Sequence, residues 1–261
     1  MSPKIPRIIG HRGCAAYAPE NTLEGLHTAA DMGIEWVEFD VTLTKDQIPI
    51  LFHDDTLERT TNGHGLVAET TYEDIRQLEA GSWFGDSFAG IKVPTLEEAI
   101  DVLIERDLGL NLEIKSAPGQ EKAAAEIILD ELSKVWDDHE RIRITSYNHV
   151  SLETALDMAS DWPRGVVIGY HCTGKWLEAV EKGKLPEDWA EIADYLQLSS
   201  ISLDFDLCTP EQVNEIKETG RAVMAYTIND LDRVRILQSM GVDSFFSDAP
   251  DVVKDGLLTV H

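Results

Sequence analysis

Cysteine, positive charge and long apolar runs are all scarce in this chain, and each shortage closes off a class of function. Three cysteines, Cys14, Cys172 and Cys208, stand far apart with no CxxC. That number and spacing exclude a disulfide framework and a structural zinc knuckle, so they read as reduced thiols. Cys14 follows His11-Arg12-Gly13 closely, but as a small apolar side chain it reads as turn packing rather than as a nucleophile. The 22 Lys and Arg face 48 Asp and Glu, a formal charge of −26, which opposes binding to nucleic acid or to an anionic lipid surface. Most of these acids read as a solvated exterior. An anionic small substrate could approach only a site with concentrated positive charge or a metal ion. No stretch reaches the roughly 18 apolar residues of a membrane span, and MSPKIPRIIG lacks the apolar core of a signal peptide. These features lead us to expect a cytoplasmic protein with no stable membrane association. Linkers, low-complexity runs and short repeats are also absent, so the 261 residues, 43% hydrophobic, read as one domain over 1–261. The oligomeric state, a homodimer included, stays open.

What is present is alternation. Short segments rich in Val, Ile, Phe and Tyr predict strands at Arg7–Gly10, Trp36–Leu43, Ile48–His53, Leu110–Ile114, Arg143–Ser146, Gly165–Tyr170, Ser200–Leu203, Ala222–Thr227 and Asp243–Ser247. Helical patterns fall between most of them, at Leu23–Met32, Leu96–Glu105, Gln120–Val135, Val150–Ala159, Trp176–Glu181, Pro210–Glu218 and Leu231–Met240, with Gly33, Gly220 and Gly241 as terminators. The connection Thr44–Gln47 is too short for a parallel crossover, so Ile48–His53 must fold back as a hairpin. A turn centred on Lys45-Asp46 sets His53 opposite Glu38 and Leu51 opposite Asp40. Eight parallel strands remain, which predicts an α/β fold of the (β/α)8 TIM-barrel type. Residues 54–94 break into turns and short amphipathic pieces. They predict a small inserted subdomain after the second barrel strand and its hairpin, placed to roof the open end.

The chemistry sits at strand ends. In Trp36-Val37-Glu38-Phe39-Asp40-Val41 the alternation gives one face to Val37, Phe39 and Val41 and the other to Glu38 and Asp40. In Asn111-Leu112-Glu113-Ile114-Lys115 it pairs Glu113 with Asn111 and Lys115. Carboxylates turned into a barrel need a cation. Glu38, Asp40 and Glu113, without clustered Cys or His, suit one hard divalent ion, Mg²⁺ or Ca²⁺, better than zinc. Pairing with Lys or Arg is the structural alternative. Arg12 and Lys115 offer contacts for an anion such as phosphate, and Gly13 allows close backbone approach. His11 and His53 arrive at the same rim, where two histidines can act as acid and base on a phosphodiester. Asn21-Thr22 reads as a helix N-cap, and Asn21 also as a candidate substrate contact. The remaining histidines, His171 and His64 among them, read as structural or surface.

With these residues in place the sequence resembles the glycerophosphodiester phosphodiesterases, in particular their cytoplasmic bacterial branch. The resemblance is carried by HRG at His11–Gly13, APENT at Ala18–Thr22, EFDVTLTKD at Glu38–Asp46, FHDDTLERTTNG at Phe52–Gly63, AGSWF at Ala80–Phe84, PTLEEAI at Pro94–Ile100, LEIK at Leu112–Lys115 and YTIN at Tyr226–Asn229, in the family's order over nearly the whole chain. It implies a (β/α)8 barrel that hydrolyses small glycerophosphodiesters, such as glycerophosphocholine or glycerophosphoethanolamine, to an alcohol and sn-glycerol 3-phosphate. By matching motifs, Glu38, Asp40 and Glu113 are implied as metal ligands, His11 and His53 as the acid/base pair, and Arg12 and Lys115 as phosphate contacts. Tyr226 stands where many relatives carry Trp and is a candidate substrate contact. Two alternatives remain at this stage. One is a lysophospholipase D-like or cyclising enzyme acting on lipid, which the acidic surface opposes. The other is a catalytically silent scaffold, which the retention of all seven charged rim residues opposes.

Overall fold

Short β-rich segments buried on both faces alternate with amphipathic helices, and the chain closes them into a ring. In the computed structural model, which describes residues 5–258, the first elements are β1 (Ile8–Gly10), α1 (Leu23–Asp31), β2 (Trp36–Leu43), β3 (Pro49–Leu51), α2 (Tyr72–Gln77) and α3 (Leu96–Arg106). They are followed by β4 (Gly109–Ile114), α4 (Glu121–Val135), β5 (Ile142–Ser146), α5 (His149–Met158), β6 (Arg164–Ile168), α6 (Gly174–Val180) and α7 (Trp189–Tyr195). The last are β7 (Ser200–Asp204), α8 (Pro210–Glu218), β8 (Ala222–Tyr226), α9 (Leu231–Met240), β9 (Ser244–Ser247) and α10 (Pro250–Leu258). β1 pairs with both β2 and β9, so eight parallel strands close into a barrel, and β3 hangs antiparallel on β2. This is the (β/α)8 fold expected from the alternation. The elements not anticipated are α2, α7 and α10; α7 and α10 each have fewer than three turns, too short to give a clear helical period.

The alternation along β2 works as expected. Val37, Phe39 and Val41 pack outward with Leu26, Leu103 and Leu112 against the helices, while Glu38 and Asp40 point into the barrel. A second apolar belt, including Val166, Ile201, Val223 and Phe245, covers the other side. Inside, Ile9, Trp36, Met224 and Phe246 form an apolar plug. Phe246 is also part of the cavity above it, so the plug is the floor on which the polar mouth rests.

Two expectations fail. The hairpin register is one residue off: Val41 faces Leu51 and Thr42 faces Ile50. The tip is three residues long, not two. Thr44 N–H donates to the Ile48 carbonyl (3.1 Å), and Gln47 takes a left-handed conformation (φ 63). A three-residue loop ending in such a residue is a regular hairpin solution that a turn centred on Lys45-Asp46 does not allow. Strict alternation would then send His53 outward with Leu51, but β3 has ended and the chain is free to turn it inward. Residues 54–94 also do not roof the mouth. They gather around their own apolar cluster of Ile50, Phe52, Leu57, Val67, Ile75, Ala80 and Val93, beside the barrel. None of them lines the cavity.

Candidate active site

The mouth holds a cavity of about 350 Å³ whose walls include His11, Arg12, Glu38, Asp40, His53 and Glu113. Six of the seven charged residues expected from the motifs thus surround one space. The seventh, Lys115, lies beside them, with its ammonium 3.4 Å from Glu113 and 3.9 Å from Asp40. Glu38, Asp40 and Glu113 come from the inward faces of β2 and β4, and the others from the segments just after β1, β3 and β4, on the side where this fold places reactive groups.

Glu38, Asp40 and Glu113 each bring an oxygen within 4.8 Å of the others. At an effective dielectric of 20, like charges about 5 Å apart repel by about 3 kcal/mol per pair. The group is therefore uncomfortable without a cation. Burial, with repulsion from Asp40 and Glu113, pushes the Glu38 carboxyl well above the usual carboxylate range, and burial raises Glu113 as well. Asp40 goes the other way: against the cost of its own burial, Arg12, His53 and Lys115 hold it well below that range. Three carboxylates against Arg12 and Lys115 leave one uncompensated negative charge. An all-oxygen set of this geometry is compatible with a divalent ion.

Asn21 has a use that its motif did not disclose. Thr22, not Asn21, caps α1, its side chain accepting from Gly25 N–H. Asn21 takes a left-handed backbone (φ 55), and its amide grips Asp40 from two sides: Nδ2 donates to Asp40 Oδ2 (2.9 Å) and Oδ1 accepts Asp40 N–H (3.2 Å). Gly13, at φ +87, is required because a Cβ there would lie 2.8 Å from the backbone of Gly25 at the start of α1. Cys14 is fully buried and donates to the Gly25 carbonyl (3.3 Å); burial pushes its thiol up to about 12. It is packing, not a nucleophile.

Both histidines are held in the same manner. His11 Nδ1 lies 2.7 Å from Asp248 Oδ1, and His53 Nδ1 lies 2.6 Å from Asp54 Oδ1. A carboxylate on Nδ1 fixes that nitrogen as the proton-bearing one and leaves Nε2 to the mouth. A chain of charges locks the rim further. Arg12 Nη1 donates to Glu20 (2.7 Å), Arg59 from the insertion donates to Glu20 (2.7 Å) and to Asp54 (2.6 Å), and Asp54 holds His53. Arg59 draws the Asp54 carboxyl down to about 2. The insertion thus steadies the rim from the side. Glu20 and Arg59 lie within APENT and FHDDTLERTTNG, but only the folded chain brings them together; Asp248 has no local mark, whereas Asp54, adjacent to His53, could have been read.

The far wall is also new. His171, read from the sequence as structural or surface, is exposed and also lines the cavity, its ring edge-on to those of His53 (5.5 Å) and Tyr147 (5.3 Å). Tyr147 donates its hydroxyl to that of Tyr226 (2.8 Å), which donates to the Ile168 carbonyl (3.0 Å). Tyr226 therefore does line the mouth, but its hydroxyl is occupied. Gly169 makes room for it, since a Cβ there would meet the Tyr226 hydroxyl at 2.0 Å. His64, by contrast, is exposed in the insertion and distant from the cavity walls.

Fold and site together define a barrel phosphodiesterase, with a carboxylate-lined mouth that also carries Arg12, Lys115 and two histidines. The chain belongs to the glycerophosphoryl diester phosphodiesterase family, whose model matches residues 11–252. A glycerophosphodiester phosphodiesterase of Caldanaerobacter subterraneus is 33% identical over 250 residues, covering 94% of this chain and 95% of its own. One from Bacillus subtilis is 30% identical over 264 residues, covering 97% and 86%. Among solved structures, an Oleispira antarctica phosphodiesterase in complex with the product sn-glycerol-3-phosphate is similar at a TM-score of 0.89 and 35% identity, over 98% of both chains. The enzyme class is thereby glycerophosphodiester phosphodiesterase. Among the described residues no helix is long and apolar enough to cross a membrane.

Proposed function

We propose that this enzyme hydrolyses small glycerophosphodiesters, of the glycerophosphocholine and glycerophosphoethanolamine kind, to the alcohol and sn-glycerol 3-phosphate. The observation that carries this reading is the pair of histidines, each fixed by a carboxylate on Nδ1, beside three converging acidic groups. Glu38, Asp40 and Glu113 would hold one divalent ion, Mg²⁺ or Ca²⁺, which when bound supplies a Lewis acid for a phosphoryl oxygen. With it, the site balances: three carboxylates and one phosphodiester anion against a dication, Arg12 and Lys115.

The chain's own residues account for the rest. Arg12 keeps Nη1 on Glu20 (2.7 Å) and its buried Nε 3.5 Å from Asp40 Oδ2, so its guanidinium brings positive charge to the edge of the cavity where a phosphate would sit. Lys115, within reach of Asp40 and Glu113, adds a second positive charge on the same side. Asn21 aims Asp40. One histidine takes the proton of the attacking oxygen at Nε2 and the other gives a proton to the departing alcohol, each steadied by its aspartate while charged. Tyr226 and Tyr147 bound the space for an arm of the substrate. A water-soluble diester and a strongly acidic chain with three free cysteines suit a cytoplasmic setting. Phosphorus NMR of the products from glycerophosphocholine tests the reading. We expect the glycerol 3-phosphate resonance; phosphocholine instead would place the cleavage on the other ester bond and overturn it.

A further inference from the structure

The mouth has two unlike sides, and the phosphodiesterase reading uses only one. Counting round the closed barrel, β7 lies directly across from β2, and β8 across from β4. Asp204, at the end of β7, therefore faces the carboxylate group from the far side. It pairs in register with Tyr226 and lines the same cavity, together with Phe205 and Tyr170. A glycerophosphodiester has an arm on each side of its phosphate, so one arm must extend over this wall. We propose that the β7–β8 side is a subsite for a cationic alkylammonium arm, with Asp204 as counter-charge and Phe205 and Tyr170 as its aromatic wall, an assignment that rests on the phosphodiesterase reading.

Three observations favour a cation there. Asp204 Oδ1 accepts the Asp206 N–H (3.0 Å), and among the described residues its carboxylate enters no ion pair. Burial raises its carboxyl from the ordinary value against the pull of the Asp206 N–H, Arg233 and His171, none of which closes an ion pair with it. The nearest guanidinium, Arg233, is engaged elsewhere: it pairs with Asp230 (3.2 Å) and lies 3.8 Å from the centre of the Phe205 ring. That contact shows the ring in use as a cation surface, and it sits outside the cavity walls. The hydroxyls of Tyr147 and Tyr226 are spent on each other and on Ile168, so these two side chains offer ring surface rather than hydrogen bonds. Aromatic faces around one carboxylate are what a quaternary or primary ammonium selects. The competing occupant is the glycerol arm, for which Ser202, buried below Asp204 with an unpartnered hydroxyl, would supply one contact. A diol could also donate to Asp204, so what separates the two occupants is the charge of the arm.

The two occupants separate by substrate. We would measure kcat/KM for release of glycerol 3-phosphate from glycerophosphocholine and from glycerophosphoglycerol, whose second arm is neutral, in the wild type and in Asp204→Asn. The amide preserves the acceptor for Asp206 N–H, so the turn should fold. We expect the choline-to-glycerol preference to fall about tenfold in Asp204→Asn, equivalent to ~1.4 kcal/mol, and several-fold in Tyr170→Ala, whose ring is 55% exposed and carries no core packing. An unchanged ratio in both variants overturns the subsite, and so does an equal loss on both substrates, which would assign Asp204 to the shared glycerol arm. Release of no glycerol 3-phosphate from either substrate by the wild type would instead be a failure of the phosphodiesterase reading. Calorimetric titration with tetramethylammonium then tests the subsite by itself: weaker binding to Asp204→Asn supports it, and equal or no binding contradicts it.

Discussion

The two sides of the barrel mouth differ in how their side chains are committed. On the β1–β2–β4 side every charged group is tied to others: His11 to Asp248, His53 to Asp54, Arg12 to Glu20, Asp40 to Asn21. On the β6–β8 side the hydrogen bonds close on themselves through Tyr147, Tyr226 and Ile168, leaving rings and one unpaired carboxylate facing the space. The first side is built to hold charges at fixed separations, which phosphoryl chemistry needs whatever the substrate's arms. The second is built to be filled by shape and charge, and it can change without altering the reaction. Variants on the first side should therefore affect all diesters alike, and variants on the second should sort them.

The largest effect should come from the histidines. His11→Ala and His53→Ala should each lower kcat about 10²–10⁴-fold on choline and glycerol diesters alike, read from steady-state rates with both substrates. A loss confined to one substrate would break the division between the sides. Next, Asn21→Ala should weaken the apparent metal affinity about 10–100-fold, because Asp40 loses both of its bonds to that side chain; activity titrated against added Mg²⁺ or Ca²⁺ should shift to higher concentration while its plateau moves less. Arg59→Ala should cost about tenfold in kcat/KM through the release of Asp54 from its anchor, with Arg59→Lys recovering part of it; no effect would mean that Asp54 holds His53 without help from the insertion. Smallest, Tyr226→Phe removes the bond to Ile168 and leaves Tyr147 without its acceptor. The melting temperature should fall by an amount equivalent to about 1 kcal/mol, while kcat changes little.

The same division governed what the sequence disclosed. Glu38, Asp40, Glu113 and Lys115 were legible because strand alternation fixes which side chains turn inward, and a charged inward face at a strand end has few explanations. His11 and Arg12 followed from their position just after β1, whereas His53 was assigned to the rim through a register that the hairpin does not have. Closure of the barrel was legible from the count of parallel strands once Thr44–Gln47 was recognised as too short to cross over. Its register was not, since Gln47 in a left-handed conformation is a choice made by the loop, which alternation cannot foresee. Asn21 misled because Asn beside Thr is a common cap, and only the folded chain brings it against Asp40, nineteen positions away. The aromatic side was barely legible: Tyr170, His171 and Phe205 lie beyond the strands, where side-chain direction follows from closure and not from periodicity, and Asp204 is the last residue of β7. The insertion taught the opposite lesson, for it packs largely around its own apolar cluster and reaches the rim through Asp54 and Arg59.

On the proposed mechanism, Glu38, Asp40 and Glu113 of β2 and β4 hold an ion on which turnover depends. The most direct test is release of glycerol 3-phosphate from glycerophosphocholine by the enzyme stripped with chelator, then titrated with Mg²⁺ or Ca²⁺, in parallel with Glu113→Gln. The account predicts no turnover in chelator, recovery on adding back the ion, and little recovery by Glu113→Gln at any concentration of it. Full turnover in chelator, or wild-type recovery by Glu113→Gln, would contradict it.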